Sequence, residues 1–335
     1  MKSHTFTQSR GHLPAFDELD RQLLHALQLN GRAPFSRIAE VLGVSDQTIA
    51  RRYSRLRSAG ALRVLGVTDP TALGEVSWFV RVQCAPDVAT PVAEALARRD
   101  DTTWVSLTSG GTEIACVTRA GSDEDSNALL LQKLPRTPRV QGVTAQCILH
   151  TFFGGAKGLI NKLNHLSLEE VAELTVPRPE VGEVDPGPLT EADEAMLNVL
   201  ARDGRAGYAE LAQASGASQS TVRRRLAELL DSGVLYLDIE FDRRILDLDT
   251  RTMLWLSVAP AELVAAGEAM AEHTEVAFCA AISGQTNLAA SVVCSGVAAL
   301  YTYLTEKIAK LPGVQWVESA PVIKTVKSIS TGITP

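Results

Sequence analysis

The stretch Ser45–Leu62, SDQTIARRYSRLRSAGAL, decides how the rest of the chain is interpreted. Ser45 is a typical N-cap, because its hydroxyl accepts a hydrogen bond from an otherwise unpaired N–H of the first helical turn. Apolar side chains recur at helical spacing, and Gly60 ends the helix without a Cβ penalty. The remaining surface is basic and carries Arg51, Arg52, Arg55 and Arg57. The stretch predicts a DNA recognition helix, and the alternative is an ordinary solvated basic face.

The same stretch occurs again 173 positions later, at Ser218–Leu235, in a gapless internal repeat. Identical pairs in the two copies include Asp20/Asp193, Gly31/Gly204, Arg32/Arg205, Ser45/Ser218, Thr48/Thr221 and Arg51/Arg224. Each copy predicts three helices with a short turn before the capped third, which is the helix-turn-helix pattern. Because an incidental basic face does not recur in register, the repeat favours the recognition-helix interpretation.

The two predicted DNA-binding units, residues 16–68 and 190–242, are unequal. Candidate DNA contacts are Ser45, Gln47, Thr48, Arg51, Arg52, Arg55 and Arg57 in the first, and Ser218, Ser220, Thr221, Arg223, Arg224 and Arg225 in the second. Such arginines reach phosphates and guanine edges in the major groove. Residues 45–63 carry five arginines against one aspartate, whereas residues 190–242 carry five arginines against ten acidic residues. Glu228 and Leu230 replace Arg55 and Arg57, so we expect the first head to dominate phosphate contact.

Each three-helix unit is followed by an α+β segment, residues 74–153 and 250–328. The order of alternating apolar runs and helical patterns predicts β-α-β-β-α-β, the ferredoxin-like arrangement, with Ser122–Leu134 as one of its helices. The predicted fold class is therefore α+β, with two copies of a winged helix-turn-helix domain, each followed by a ferredoxin-like domain. Residues 154–189, rich in proline near their end, form the linker. We expect the bare faces of the two sheets to cover each other.

Composition excludes several other classes of protein. The net charge is −7, so any basic surface must be local, and no apolar run is long enough for a membrane span. The N-terminus lacks the apolar core of a signal peptide, so we expect a cytoplasmic protein. The five cysteines form no CxxC pair and the six histidines show no metal-ligand spacing, so no metal or cofactor is expected. The glycines of residues 154–158 indicate a turn, because a phosphate loop needs a different spacing. We therefore expect that the chain is not an enzyme.

The sequence resembles the Lrp/AsnC, or feast/famine, family of transcription regulators. The residues that carry the resemblance are Leu19-Asp20, Leu23-Leu24, Leu27, Gly31-Arg32, Ile38-Ala39-Glu40, Gly43-Val44-Ser45, Thr48, Arg51, Leu65-Gly66-Val67, Asp69-Pro70 and Leu73-Gly74. Members have one helix-turn-helix and one ligand-sensing domain, and they dimerise. The resemblance implies double-stranded DNA and a small effector, an amino acid or related metabolite, as partners. It also implies a tandem form in which one chain supplies a pseudo-dimer, and we expect these pseudo-dimeric chains to associate further.

The family's effector loop has the form Gly-x-x-Asp between the second and third strands of the ligand-sensing domain. The matching positions are Gly110, Thr112 and Glu113 in the first copy, and Gly284, Thr286 and Asn287 in the second. Both copies depart from the usual aspartate, and only the first keeps a carboxylate that could pair with an effector amino group. The alternative is that both segments are simple hairpin turns.

Two other functions are compatible with the sequence. Sirohaem decarboxylases are built from paired units similar to these, and an enzyme of that class would need histidines and arginines around a tetrapyrrole. Candidates for that role are His150, His273, Arg81 and Arg119. The other alternative is an effector-sensing protein with only one active DNA-binding head.

Overall fold

A computed structural model describes residues 16–120, 134, 136–155, 162, 164–176 and 185–329. The first half of the chain contains α1 Glu18–Leu29, α2 Phe35–Val41, α3 Asp46–Ser58, β1 Leu62–Thr68, β2 Val76–Cys84, α4 Pro86–Ala97, β3 Thr102–Thr108, β4 Glu113–Ala120, β5 Val140–Phe153 and α5 Leu168–Leu174. The second half contains α6 Glu191–Leu200, α7 Tyr208–Ser215, α8 Gln219–Asp231, β6 Leu235–Phe241, β7 Thr250–Val258, α9 Leu263–Glu272, β8 Val276–Ile282, β9 Leu288–Cys294, α10 Val297–Thr302 and β10 Val314–Thr325. The predicted helix Ser122–Leu134 lies almost entirely outside the described residues.

Each head is a three-helix unit whose core includes large apolar residues of its first helix. In the first head, Leu23, Leu24 and Leu27 are fully buried, and they share one core with Ile49 and Leu56 of α3. The turn before α3 contains Gly43 at φ 65°, a left-handed conformation that glycine adopts without strain. Gly216 holds the same position in the second head at φ 69°. The repeat therefore produces the same helix-turn-helix geometry twice.

The strand that follows each recognition helix pairs with its own counterpart instead of forming a separate wing. β1 and β6 make a two-stranded antiparallel sheet, in which Leu62 lies opposite Phe241 and Thr68 opposite Leu235. At its centre Leu65 faces Asp238, and these are equivalent residues of the two copies. A pseudo-twofold axis therefore passes between Leu65 and Asp238, and it relates the two heads.

The two ferredoxin-like sheets join edge to edge into one closed eight-stranded sheet, in the order β10-β3-β4-β2-β5-β8-β9-β7. One seam pairs β5 with β8, from Ile148 opposite Ile282 onward. The equivalent seam pairs β10 with β3, from Val322 opposite Thr108 onward. The closure leaves these eight strands without a free edge, and it turns the bare faces of the two sheets toward each other.

Side chains from both sheets fill the space inside this closed sheet. Phe79, Ala115, Met253, Trp255, Ile282, Ala289 and Ala320 form one buried cluster. Phe79 packs edge-on against Trp255 with ring centroids 5.9 Å apart. Arg81 stacks on the same indole, with its guanidinium carbon 3.8 Å from the ring centroid. Arg81 and Trp255 are equivalent residues of the two copies, so they meet across the pseudo-twofold relation.

The helices cover the outer faces of the sheets. α4 packs on the first sheet through Ala93 and Leu96, and α9 packs on the second through Ala266 and Met270. The last helical segment of the second copy is not one regular α-helix. It continues from α10 through a π-helical turn, Tyr303–Lys307, and a 3₁₀ turn, Ile308–Lys310. Among the described residues, no helix has the length and apolar character needed to cross a membrane.

Candidate nucleic-acid interface and effector loops

Hydroxyl caps fix the start of both recognition helices. Ser45 Oγ accepts from the backbone N–H of Thr48 at 3.1 Å, and Ser218 Oγ accepts from that of Thr221 at 3.2 Å. The Ser218 hydroxyl also lies 2.8 Å from the hydroxyl of Ser220. Each cap satisfies an N–H that the helix itself leaves unpaired. Ser45 and Ser218, which are predicted DNA contacts, therefore also stabilise the N-terminal ends of their helices.

Burial determines which side of each recognition helix faces solvent. Ile49, Tyr53 and Leu56 of α3 are buried, as are Val222, Leu226 and Leu229 of α8. The opposite surface of α3 exposes Gln47, Arg51, Ser54 and Arg57, and that of α8 exposes Ser220, Arg223, Arg224 and Ala227. Most of the predicted contacts thus lie on an exposed helix face, but several of their charges are already paired.

A buried carboxylate holds two arginines of the first head. Asp20 has no exposed surface, and it accepts from Arg52 Nη1 at 2.9 Å and from Arg55 Nη2 at 2.6 Å. Arg52 also bonds Asp17 at 2.6 Å. Because a buried carboxylate is costly without a cation, these arginines stabilise the packing of α3 on α1. The DNA-binding roles of Arg52 and Arg55 stay predictions.

The second head repeats this arrangement with Asp193 and Arg225, whose Nε and Nη2 donate at 2.8 and 2.9 Å. Burial alone would raise the pKa of Asp193, but the hydrogen bonds from Arg225 and Thr190 lower it to about 2. Arg224 pairs with Glu228 at 2.7 Å and remains mostly exposed. Arg223 lies over the ring of Tyr208, 4.8 Å from its centroid.

Arg57 reaches from the first head to the second. Its Nη2 lies 2.7 Å from Asp203, in the turn after α6. The second head lacks Arg55 and Arg57, so the sequence predicts that these two arginines strengthen DNA binding by the first head. In the structure, both form ion pairs within the protein. Within the described part of the chain, Arg51 is the arginine of α3 that makes no ion pair. Arg51 is therefore the cation of α3 best placed to meet a phosphate or a guanine.

In the first predicted effector loop, the carboxylate is buried and occupied. Gly110 and Gly111 turn the chain at φ 71° and 85°, and exposed Thr112 donates to the Ser109 carbonyl at 2.7 Å. Glu113 is 3% exposed and accepts from Arg81 Nε at 2.8 Å. It also lies 3.1 Å from the hydroxyls of Thr108 and Ser109. An effector amino group can bind Glu113 only by competing with these donors.

The second loop is held by different contacts. Gln146 Nε2 donates to the carbonyls of Ser283 and Thr286 at 2.9 and 3.0 Å, beside Gly284. Asn287 forms a double hydrogen bond with the backbone N–H and C=O of Val258, both at 2.8 Å. The two loops are therefore similar in position and different in chemistry.

Sequence reasoning missed two polar residues, Glu318 and Gln146, and one aromatic residue, Trp255, in the surroundings of these loops. Glu318 accepts a bidentate pair of hydrogen bonds from Arg81 at 2.5 and 3.0 Å, and Gln146 supports the second loop. Trp255 stacks on Arg81. Polar side chains that share one face of otherwise apolar strands were the available signal, but only the closure of the two sheets brings them together.

The four candidates for tetrapyrrole chemistry lie in separate environments. Arg81 belongs to the network around Glu113, and Arg119 donates to the Thr68 hydroxyl at 3.0 Å. His273 lies 3.1 Å from the Tyr303 hydroxyl, and exposed His150 packs edge-on against Phe152. No hydrogen bond or ion pair joins any two of the four candidates within the described residues. The described residues also contain no group of three or more histidine, cysteine or acidic side chains placed to hold a metal ion.

Comparison with known proteins relates both heads to one family. The model of the AsnC-type helix-turn-helix domain matches residues 16–57 and 189–230, and the Lrp/AsnC ligand binding domain matches residues 252–331. The HTH-type transcriptional regulator FL11 of Pyrococcus abyssi is 27% identical over 139 residues, which cover 41% of this chain and 91% of FL11. The HTH-type transcriptional regulator LysM of Saccharolobus solfataricus is 28% identical over 138 residues, covering 41% of this chain and 96% of LysM.

A solved structure resembles the whole chain. The sirohaem decarboxylase NirDL superposes with a TM-score of 0.63 over 94% of both chains, at 15% sequence identity. At that identity the likeness concerns the fold, and it shows the same two-copy architecture in one polypeptide. The sequence matches carry the family assignment. The chain belongs to the Lrp/AsnC family of transcriptional regulators, as a tandem-duplicated form with two AsnC-type helix-turn-helix domains in a single polypeptide.

Proposed function

We propose that the chain is a sequence-specific regulator that binds double-stranded DNA through residues 16–68 and 190–242. The observation that carries this proposal is the exposed Arg51, which makes no ion pair with the described residues, on a serine-capped helix of an AsnC-type helix-turn-helix domain. Arg224 occupies the equivalent position in the second head. A regulator of this kind would act in the cytoplasm.

The salt dependence of binding tests the role of Arg51. Each phosphate contact that is lost should flatten the slope of log affinity against log salt by about 0.9. We expect Arg51→Ala to produce that change if the guanidinium meets a phosphate, or a loss of base preference if it meets guanine. The matched control is Arg98→Ala, which removes an exposed arginine outside both heads. Unchanged affinity, slope and base preference in Arg51→Ala would contradict the assignment of α3.

The alternative with a single active head predicts a different pattern. We expect Arg51→Ala and Arg224→Ala to remove protection from separate halves of a DNase footprint, because each head should cover its own half-site. If Arg224→Ala leaves the whole footprint intact, the second head does not contact DNA in this way.

We further propose that a small effector, an amino acid or a related metabolite, binds at Gly110, Thr112, Glu113 and at Gly284, Thr286, Asn287. The family supplies the position, and the two different hydrogen-bond networks imply different affinities at the two loops. Isothermal titration with a panel of amino acids should give two unequal sites. Thr112→Ala and Thr286→Ala should each weaken one of them. If neither variant changes the titration of a bound amino acid, the loops are plain turns.

Association of these chains into larger oligomers is also a proposal, and light scattering with and without the effector measures it. The second candidate function, tetrapyrrole chemistry, is favoured only by the shared fold of NirDL. We expect no shifted Soret band when an iron porphyrin is added to the purified protein. A stoichiometric Soret shift that is lost in His150→Ala or His273→Ala would favour the enzyme instead.

A further inference from the structure

Two reciprocal arginine contacts hold the DNA-binding heads together. Arg32 donates to the carbonyls of Gly204 and Ala206 at 2.7 and 2.9 Å. In the same way, Arg205 donates to the carbonyls of Gly31 and Ala33, also at 2.7 and 2.9 Å. Both guanidiniums also lie over aromatic rings of the opposite head. These contacts obey the same pseudo-twofold relation as β1 and β6.

The relative position of the two recognition helices is therefore set by the folded core and not by a flexible tether. The seven pairs of β1 and β6 fix the register between the heads, and Gly204 donates to the carbonyl of Val64 at 2.8 Å. The Arg57–Asp203 ion pair adds a further cross-connection. A rigid pair of heads fits two half-sites at one separation and one rotational phase on the duplex.

The exposed faces of the two helices are not the same. Arg51 and Arg224 are equivalent, and both suit guanine. Arg224 pairs with Glu228, but an exposed ion pair of this kind is weak enough to be exchanged for a contact with DNA. Gln47, which suits the paired donor and acceptor of adenine, is replaced by Ser220, which favours no single base. Ser54 is replaced by Ala227, whose methyl group suits contact with thymine. Ala50 is replaced by the exposed Arg223.

We propose that one chain recognises a non-palindromic stretch of double-stranded DNA made of two unlike half-sites in fixed order and at fixed spacing. This inference rests on the proposed DNA-binding function and specifies its target. A dimer of identical chains presents two identical recognition helices and so favours a palindrome, whereas this fused chain presents two different ones in the same frame. Both half-sites share a guanine opposite Arg51 or Arg224, and they differ at the bases that Gln47 and Ser220 face.

Selection from a random duplex library with the full-length chain tests the proposal. The wild type should enrich an asymmetric motif with two half-sites. The triple variant Ser220→Gln, Arg223→Ala, Ala227→Ser gives the second helix the residues found at Gln47, Ala50 and Ser54 of the first, without changing a buried residue. Arg57 and its counterpart Leu230 stay different, so the variant should enrich a more palindromic motif and not a perfect palindrome. The matched control is Arg98→Ala, which should enrich the wild-type motif.

Binding to designed duplexes then tests order and spacing. Replacing the second half-site by an inverted copy of the first should weaken the wild type at least about tenfold, because mismatched base pairs carry penalties of that size. Inserting five base pairs between the half-sites, about half a helical turn, should reduce binding to that of one half-site. A palindromic wild-type motif, or equal binding at several spacings, would overturn this inference and leave DNA binding intact. Failure to enrich any motif would overturn the proposed function, and this inference with it.

Discussion

Replacing Asp193 by asparagine should selectively destabilise the second head at neutral pH. Asp193 is 3% exposed, and it accepts two hydrogen bonds from Arg225 as well as bonds from Thr190 at the start of α6. Asparagine preserves the size of the side chain and removes its charge. The substitution therefore tests whether Arg225 serves the fold of the head, a role that competes with contact to DNA.

The structure gives the magnitude and the sign of this effect. The pKa of Asp193 falls from 3.8 to about 2 on folding, and one pKa unit corresponds to about 1.4 kcal/mol, so the carboxylate contributes about 2 kcal/mol at pH 7. Because the folded pKa lies below the unfolded one, this contribution is fully present well above pH 3.8. It falls to about half near pH 3 and is lost as the pH drops through about 2.

Hydrogen exchange measures this effect locally, and the first head serves as a control within the same molecule. In Asp193→Asn, protection factors in α6–α8 should fall about thirtyfold at pH 7, while those in α1–α3 should stay unchanged. The difference should shrink when exchange is measured near pH 3. The control variant Glu194→Gln, which removes an exposed carboxylate from the same helix turn, should have little effect.

Two outcomes would refute this reasoning. Equal protection of α6–α8 in the wild type and Asp193→Asn would mean that the buried ion pair does not hold the head together. A loss of protection that is as large near pH 3 as at pH 7 would mean that the substitution acts through packing and not through charge.

Three other predictions concern the core and the centre of the molecule. Gly267→Ala places a methyl group against the ring of Phe152, so it should lower the free energy of unfolding by about 1–3 kcal/mol in urea titrations. The control Gly207→Ala has open space around it and loses only the preference for glycine at the N-cap of α7, so it should cost less than about 1 kcal/mol. Burial raises the pKa of Cys116 and of Cys279 to about 12, so iodoacetamide at pH 8 should label half-buried Cys147 first, and rapid labelling of Cys279 in the native protein would contradict its burial. Burial also raises the pKa of Asp238 to about 6, so the folded state binds its proton more tightly than the unfolded state and loses stability as the pH rises from about 4 through 6. Asp238→Asn should therefore reduce the difference in melting temperature between pH 5 and pH 8. If that difference is unchanged, the pH dependence of stability comes from other groups.

The helix-turn-helix units could be predicted from sequence because their signals are local. Caps such as Ser45, the turn glycine Gly43 and the apolar spacing of α3 act within a few residues, and the second copy repeats them. The pairing state of each arginine could not be predicted in this way. Asp20 lies 32 positions before Arg52, and only the packing of α1 against α3 brings the two together.

The effector loops were predictable as turns but not as sites. Gly110 and Gly284 both adopt positive φ, a conformation that glycine tolerates in turns. The surroundings of Glu113 depend on Arg81 from β2 and, through it, on Glu318 from β10, more than 200 positions further along the chain. Such contacts follow from the closure of the two sheets, which no local pattern encodes.

The stacking of Arg81 on Trp255 joins two positions that descend from one position of the repeat. In an assembly of two identical halves, that place would hold either two guanidiniums, which repel each other, or two indoles, which have no cation to bind. Leu65 and Asp238 are likewise equivalent residues that lie opposite each other, where two identical halves would place two leucines or two carboxylates. In a single chain the two equivalent positions can carry different residues, so the two halves meet through complementary side chains and not through identical ones.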